Sequence, residues 1–86
     1  MIIENKTFRL EDEIDEATFL EADHRLQAEL SSRDGFVRRT TGRGKDGTWL
    51  VVTLWGSEEN ADAPGVLQEF EAMLEEVRVE RYESLD

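Results

Sequence analysis

Three kinds of side chain in this sequence could do chemistry, and each has a structural use as well. Asn5 falls in the middle of an extended segment, where asparagine is disfavoured. A buried amide must find partners there, and in a cavity it can orient a phenol or a carbonyl. Trp55 closes the run Trp49-Leu50-Val51-Val52-Thr53-Leu54-Trp55. It offers a large apolar plate with one N–H donor, suited to a core, an interface or a pocket wall. Arg38, Arg39, Arg43 and Lys45 form a basic patch in an acidic chain. They can pair with acids of the same or a partner chain, or anchor an anionic or carboxylate substrate. Adjacent strand residues point to opposite faces, so only one of Arg38 and Arg39 can reach a pocket, and the sequence leaves open which. Arg38 is taken as a substrate-binding candidate together with Trp49, which is equally a packing residue, and Tyr82, which could donate a proton or sit at an interface. His24 is the single histidine, falls off the apolar stripe of its helix, and has no serine and carboxylate beside it for a triad.

Composition narrows the classes of function. Asp and Glu total 21 against 10 Lys and Arg, a formal charge of −11 that repels phosphate backbones and anionic headgroups. The expectation is no nucleic acid and no membrane partner. No cysteine is present, which excludes disulfides, thiolate nucleophiles and Cys-based metal sites. The acidic cluster Glu11, Asp12, Glu13, Asp15 and Glu16 lacks the glycine a calcium loop requires and reads as the start of a helix, so no metal site is expected. The N-terminus has no signal-peptide h-region and no later run approaches transmembrane length, so the chain reads as cytoplasmic. Eighty-six residues make a single domain, small enough for dimerisation to add useful stability.

The elements that must position these residues follow from periodicity. Residues 2–10 read as a first strand, with Lys6, Phe8 and Leu10 on one face and Asn5, Thr7 and Arg9 on the other. Asp15 is placed to cap a helix over 16–32, with Ile14 and Phe19 at the positions of a hydrophobic staple. Phe19, Ala22, Leu26 and Leu30 share one stripe of that helix, with Asp23 just inside its edge. A second strand spans 36–43, and Gly44-Lys45-Asp46-Gly47 forms a hairpin with positive φ expected at both glycines. The third strand is 49–55. Ser57 caps a short turn near 57–62, Pro64-Gly65 interrupts, and a main helix is predicted near 64–76 on a stripe of Val66, Leu67, Phe70, Met73, Leu74 and Val77. A last strand covers 77–84.

The order β-α-β-β-α-β predicts an α+β ferredoxin-like domain, with both helices on one face of a four-stranded antiparallel sheet. The first and third strands are expected at its centre, running parallel to each other. The third strand is apolar on both sides, where a half-buried strand would alternate, so both its faces must be covered. The bare sheet face carries either Phe8 and Leu10 with Leu50, Val52 and Leu54, or Trp49, Val51 and Trp55. Either set is sticky, and a second copy of the chain is the simplest cover.

Three stretches then carry a family resemblance: Gly35-Phe36-Val37-Arg38-Arg39, Asp46-Gly47-Thr48-Trp49 and Leu54-Trp55-Gly56-Ser57. On them the chain resembles, over nearly its whole length, the antibiotic-biosynthesis-monooxygenase-like branch of the dimeric α/β barrel superfamily. The resemblance implies sheet-to-sheet homodimers. It also implies either cofactor-independent oxidation of small aromatic molecules or, in the haem-degrading members, a trio of asparagine, tryptophan and histidine. Asn5 and Trp55 match the first two and are the catalytic residues it implies. Residues 57–76 contain no histidine, so haem is not expected and no cofactor is assigned. Two readings stay open: an oxygenase holding an electron-rich aromatic between helices and sheet with Asn5 and Trp55 in the pocket wall, or a non-catalytic dimer that binds a small molecule or serves as a structural module.

Overall fold

The computed structural model describes residues 1–62 and 68–85. Its elements are β1 (Ile2–Leu10), α1 (Glu16–Leu30), β2 (Phe36–Arg43), β3 (Trp49–Trp55), α2 (Glu58–Asp62), α3 (Gln68–Glu71) and β4 (Leu74–Glu83). The four strands form one sheet in the order β2-β3-β1-β4, with every neighbouring pair antiparallel. This is the expected ferredoxin-like arrangement with one correction: β1 and β3 are central neighbours but run antiparallel. The crossover through α1 makes β2 parallel to β1, and the tight hairpin then reverses β3 against both.

Local signals set α1. Asp15 has extended backbone and its carboxylate accepts the Thr18 amide at 2.8 Å, which satisfies one of the first-turn donors. The helix buries Phe19, Ala22, Asp23, Leu26 and Leu30. Phe19 is fully buried and meets Phe8, Trp49 and Phe70 at centroid distances of 5.6, 4.7 and 5.4 Å, the centre of the core. At the hairpin only Gly47 takes a positive φ, +86°, and Gly44 does not. The turn closes instead through the Gly44 amide donating to the Thr48 carbonyl at 2.7 Å, with Arg9 bracing it by donating to the Asp46 carbonyl at 2.9 Å.

The C-terminal half departs from its prediction. Pro64, Gly65, Val66 and Leu67 lie outside the described residues. The helix that follows ends at Glu71, and β4 begins at Leu74. Phe70, Met73 and Leu74 share a helical stripe, but Leu74 is buried by pairing with Leu10, and the Glu11 amide donates to the Met73 carbonyl at 2.9 Å. Long-range pairing along β1 therefore captures residues whose spacing alone suits either structure. Glu76, at φ +53°, accompanies the register shift between Thr7 and Arg9.

Pairing also decides the sheet faces. Phe8 pairs with Trp49 and both point to the helices, with Val51, Thr53 and Trp55. Phe8 thus belongs to the tryptophan set rather than the leucine set. The bare face carries Leu50, Val52 and Leu54 of β3 and Ile3, Asn5 and Thr7 of β1. Among the described residues no helix is long and apolar enough to cross a membrane.

Candidate functional site

A small cavity of about 60 Å³ lies between the inner sheet face and the helices. Its floor is Lys6 of β1 and Val51, Thr53 and Trp55 of β3, and its roof is Leu26 and Leu30 of α1 and Phe70 of α3. Glu4, Arg33 and Arg39 complete the polar side. The Trp55 end is fixed by a corner that the sequence builds from glycines. The Gly56 amide donates to the Gly35 carbonyl at 2.7 Å, and the Phe36 ring stands edge-on to Trp55 at 5.7 Å and 84°. Gly35 sits at φ +78° against Asn60, where a side chain would collide. Ser57 Oγ holds Asn60 in place, donating to its Oδ1 at 2.8 Å.

The Trp55 indole Nε1 is buried and has no hydrogen-bond partner among the described residues. Buried donors are almost always paired, and leaving one unpaired costs about 1–3 kcal/mol. Trp55 also lines the cavity, so the unpaired donor belongs to a side chain of its wall.

Charged pairs surround the cavity. Arg39 donates to Asp23 Oδ1 at 2.6 Å, and Thr41 Oγ1 donates to the other carboxylate oxygen at 2.9 Å. The Arg39 and Asp23 side chains are 2% and 5% exposed, so this ion pair is part of the interior, and the guanidinium also lies 5.7 Å from the Phe70 ring centre. Lys6 pairs with Glu71 at the end of α3. Glu4 accepts from Arg81 Nε at 2.9 Å, and Arg81 also binds Asp62 at 2.5 Å. These bonds, Asp62 first, push the Arg81 guanidinium above its ordinary value. A second, wider groove of about 710 Å³ runs outside α1 and β2, with His24 and Arg43 in its lining. Arg39 is shared by both concavities, and its pair with Asp23 divides them.

The predicted site residues are dispersed. Trp55 lines the inner cavity, while Trp49 is buried in the core beside Phe19 and reaches the outer groove. Asn5 pairs with Val52 and Glu80 on the bare face, so the expectation that Asn5 and Trp55 line one cavity is overturned. The reason is the strand alternation: β1 presents Glu4, Lys6 and Phe8 inward, which sends Asn5 outward. Arg38 and Tyr82 also lie on the bare face, opposite Leu54 and Ile3, with Tyr82 49% exposed. Of the two adjacent arginines, Arg39 is the one that enters the pocket. His24 is exposed, as its helix position requires. Lys6 and Thr53 also line the cavity, although no motif singles them out. For Lys6 a signal existed, because it is in phase with Phe8 and Leu10, an odd company for a cation. Among the described residues, no cluster of His, Asp or Glu could hold a metal ion.

An antiparallel sheet with one face covered by helices, a partly open cavity beneath them and an uncovered opposite face defines a ferredoxin-like domain. No family model matches the sequence, and no curated protein matches it either. The fold is that of antibiotic-biosynthesis-monooxygenase structures. SnoaB, a cofactor-independent oxygenase from Streptomyces nogalater, superposes with a TM-score of 0.81 at 18% identity, over 99% of this chain and 93% of its own. A protein from Nitrosomonas europaea named for antibiotic biosynthesis monooxygenases gives 0.80 at 14% identity over the full length of both chains. One of like name from Deinococcus radiodurans gives 0.75 at 21% identity, covering 100% of this chain and 94% of its own.

Proposed function

We propose that this protein is a homodimer whose partly open inner cavity receives one edge of a small aromatic molecule and promotes its reaction with O₂ without a cofactor. The observation that carries the reading is the unpaired Trp55 N–H beside that cavity. A phenol or carbonyl oxygen of the ligand would accept from it, while Leu26, Leu30, Val51 and Phe70 supply an apolar wall. Positioning and exclusion of water are what such a site contributes, and a fixed N–H donor in a dry site stabilises an oxyanion as it develops. The fold shared with a cofactor-independent oxygenase supports the reaction class. Asn5, Arg38 and Tyr82 belong in this reading to the sheet face at which two copies meet. That face exposes Leu50 by 38%, with Val52, Leu54 and Ile3 half-buried beside it.

One observation favours a second reading, a binding module without catalysis. Glu4, the carboxylate that lines the cavity, is held by Arg81 and so is not free to take a proton from a ligand. Titrating the tryptophan fluorescence with 1,4-naphthohydroquinone without oxygen, then admitting oxygen, separates the two. Binding followed by O₂ uptake above the buffer rate supports the oxygenase. Binding without uptake supports the module, and no quenching at millimolar ligand defeats both.

A further inference from the structure

Two cations of the inner cavity, Arg39 and Lys6, differ in how firmly each is bound to its acid. Arg39 cannot be released. Its partner Asp23 is 5% exposed, and without the guanidinium a buried carboxylate would be stranded. Lys6 is held otherwise. Its side chain is 14% exposed, it forms part of the cavity floor, and its partner Glu71 is 39% exposed at the end of α3. Glu71 can turn into water at little cost if something else takes its place on the ammonium, which has three donors to offer. Lys6 Nζ also lies 5.8 Å from the centre of the Phe70 ring that roofs the cavity, so the charge is already beside the apolar wall an aromatic ligand would touch.

We propose that Lys6 is a specificity-determining residue that selects anionic aromatic ligands, carboxylates or phenolates, by exchanging Glu71 for the ligand's anionic oxygen. The inference rests on the reading of the cavity as a binding site and adds the charge of what it binds. Glu71 acts as a built-in competitor, occupying the ammonium until an anion arrives. A purely structural ion pair would behave differently, since either substitution would then weaken the site.

The experiment uses two probes of the same shape, 2-naphthoate and 2-naphthamide, titrated against the intact protein by tryptophan fluorescence. The wild type should prefer the carboxylate by about tenfold, the scale of one charge-assisted hydrogen bond. Lys6→Met should erase the preference while still binding the amide. Lys6→Arg should keep part of it. Glu71→Gln should tighten naphthoate several-fold and leave naphthamide unchanged. If Lys6→Met does not fold, Glu71→Gln decides alone, because its effect has the opposite sign from loss of a structural bridge. Equal binding of both probes by the wild type, naphthoate preference surviving in Lys6→Met, or weaker naphthoate binding in Glu71→Gln would overturn the proposal while leaving the cavity reading intact. Binding of neither probe would remove both.

Discussion

Asn5 and Trp55 stand on opposite faces of one sheet. Asn5 pairs with Val52 and shares its outward direction, whereas Trp55 pairs with Ile2 and turns toward the helices. No rotation of either side chain brings them to a common ligand, because the sheet itself lies between.

Their substitutions should therefore separate. Asn5→Ala should leave the affinity of the inner cavity for an aromatic probe unchanged within about twofold, and its stability cost should stay near 1 kcal/mol. Trp55→Phe keeps an aromatic ring but loses the N–H, and should weaken binding of an oxygen-bearing ligand about tenfold. Parallel fluorescence titrations and urea melts of the two variants check this. A cavity-binding defect in a well-folded Asn5→Ala protein would contradict the face assignment.

The bare face predicts the behaviour of two adjacent valines. Val52 points outward and is half-buried in the single chain, whereas Val51 points inward and is 4% exposed. Val52→Asp should give a folded monomer, since a charge there opposes only the second copy. Val51→Asp should give no folded protein, since an unpaired charge would be driven into the core. Light scattering at micromolar concentration with circular dichroism distinguishes the cases, and a wild-type monomer would defeat the dimer.

Asp23 and Arg39 are worth more as a pair than either is alone. Removing one partner leaves a buried charge uncompensated and should cost about 3–5 kcal/mol, a large share of the 5–15 kcal/mol typical of a whole domain. Arg39→Met should unfold at much lower urea than wild type. Asp23→Leu combined with Arg39→Met should recover most of that loss, because two apolar side chains of similar volume make no such demand. An additive double mutant would show that the pair is not coupled.

Acid should affect two carboxyls in opposite senses. Partial burial, then the charges of Glu11, Asp12 and Glu76, hold Glu75 above its ordinary value of 4.5. A carboxyl raised on folding keeps its proton longer in the folded state, so its ionisation weakens folding as pH climbs through the folded value. Glu75→Gln should raise the urea midpoint at pH 7, and the gain should vanish below about pH 4.5. Asp15 is held below its ordinary value of 3.8 by hydrogen bonds from Thr18. Its stabilisation is present above that value and lost as pH falls through the lower folded one. Asp15→Ala should lower the midpoint at pH 7 by an amount that shrinks on acidification below pH 3.8.

What the sequence determined by itself is what near neighbours encode. Asp15 caps its helix through the Thr18 amide, and the α1 stripe buries the five residues its spacing marks. Strands 2–10, 36–43 and 49–55 fall where alternation and turn residues put them. Asp23 falls just inside the edge of that stripe, but its partner Arg39 comes from another element.

Tertiary structure decided everything that depends on pairing between distant segments. A slip of one residue between β1 and β3 would exchange Asn5 for Lys6 in the cavity, and the composition of β1 is tolerant enough to permit either. The pairing of Phe8 with Trp49 settles the choice, because both large rings can then pack on Phe19. The same holds for β4, whose start at Leu74 is fixed by Leu10 rather than by its own periodicity. Lys6 and Glu71 are 65 residues apart, and no local pattern announces that they meet. The elements are local in origin, but the faces they present, and so the site, come from the register.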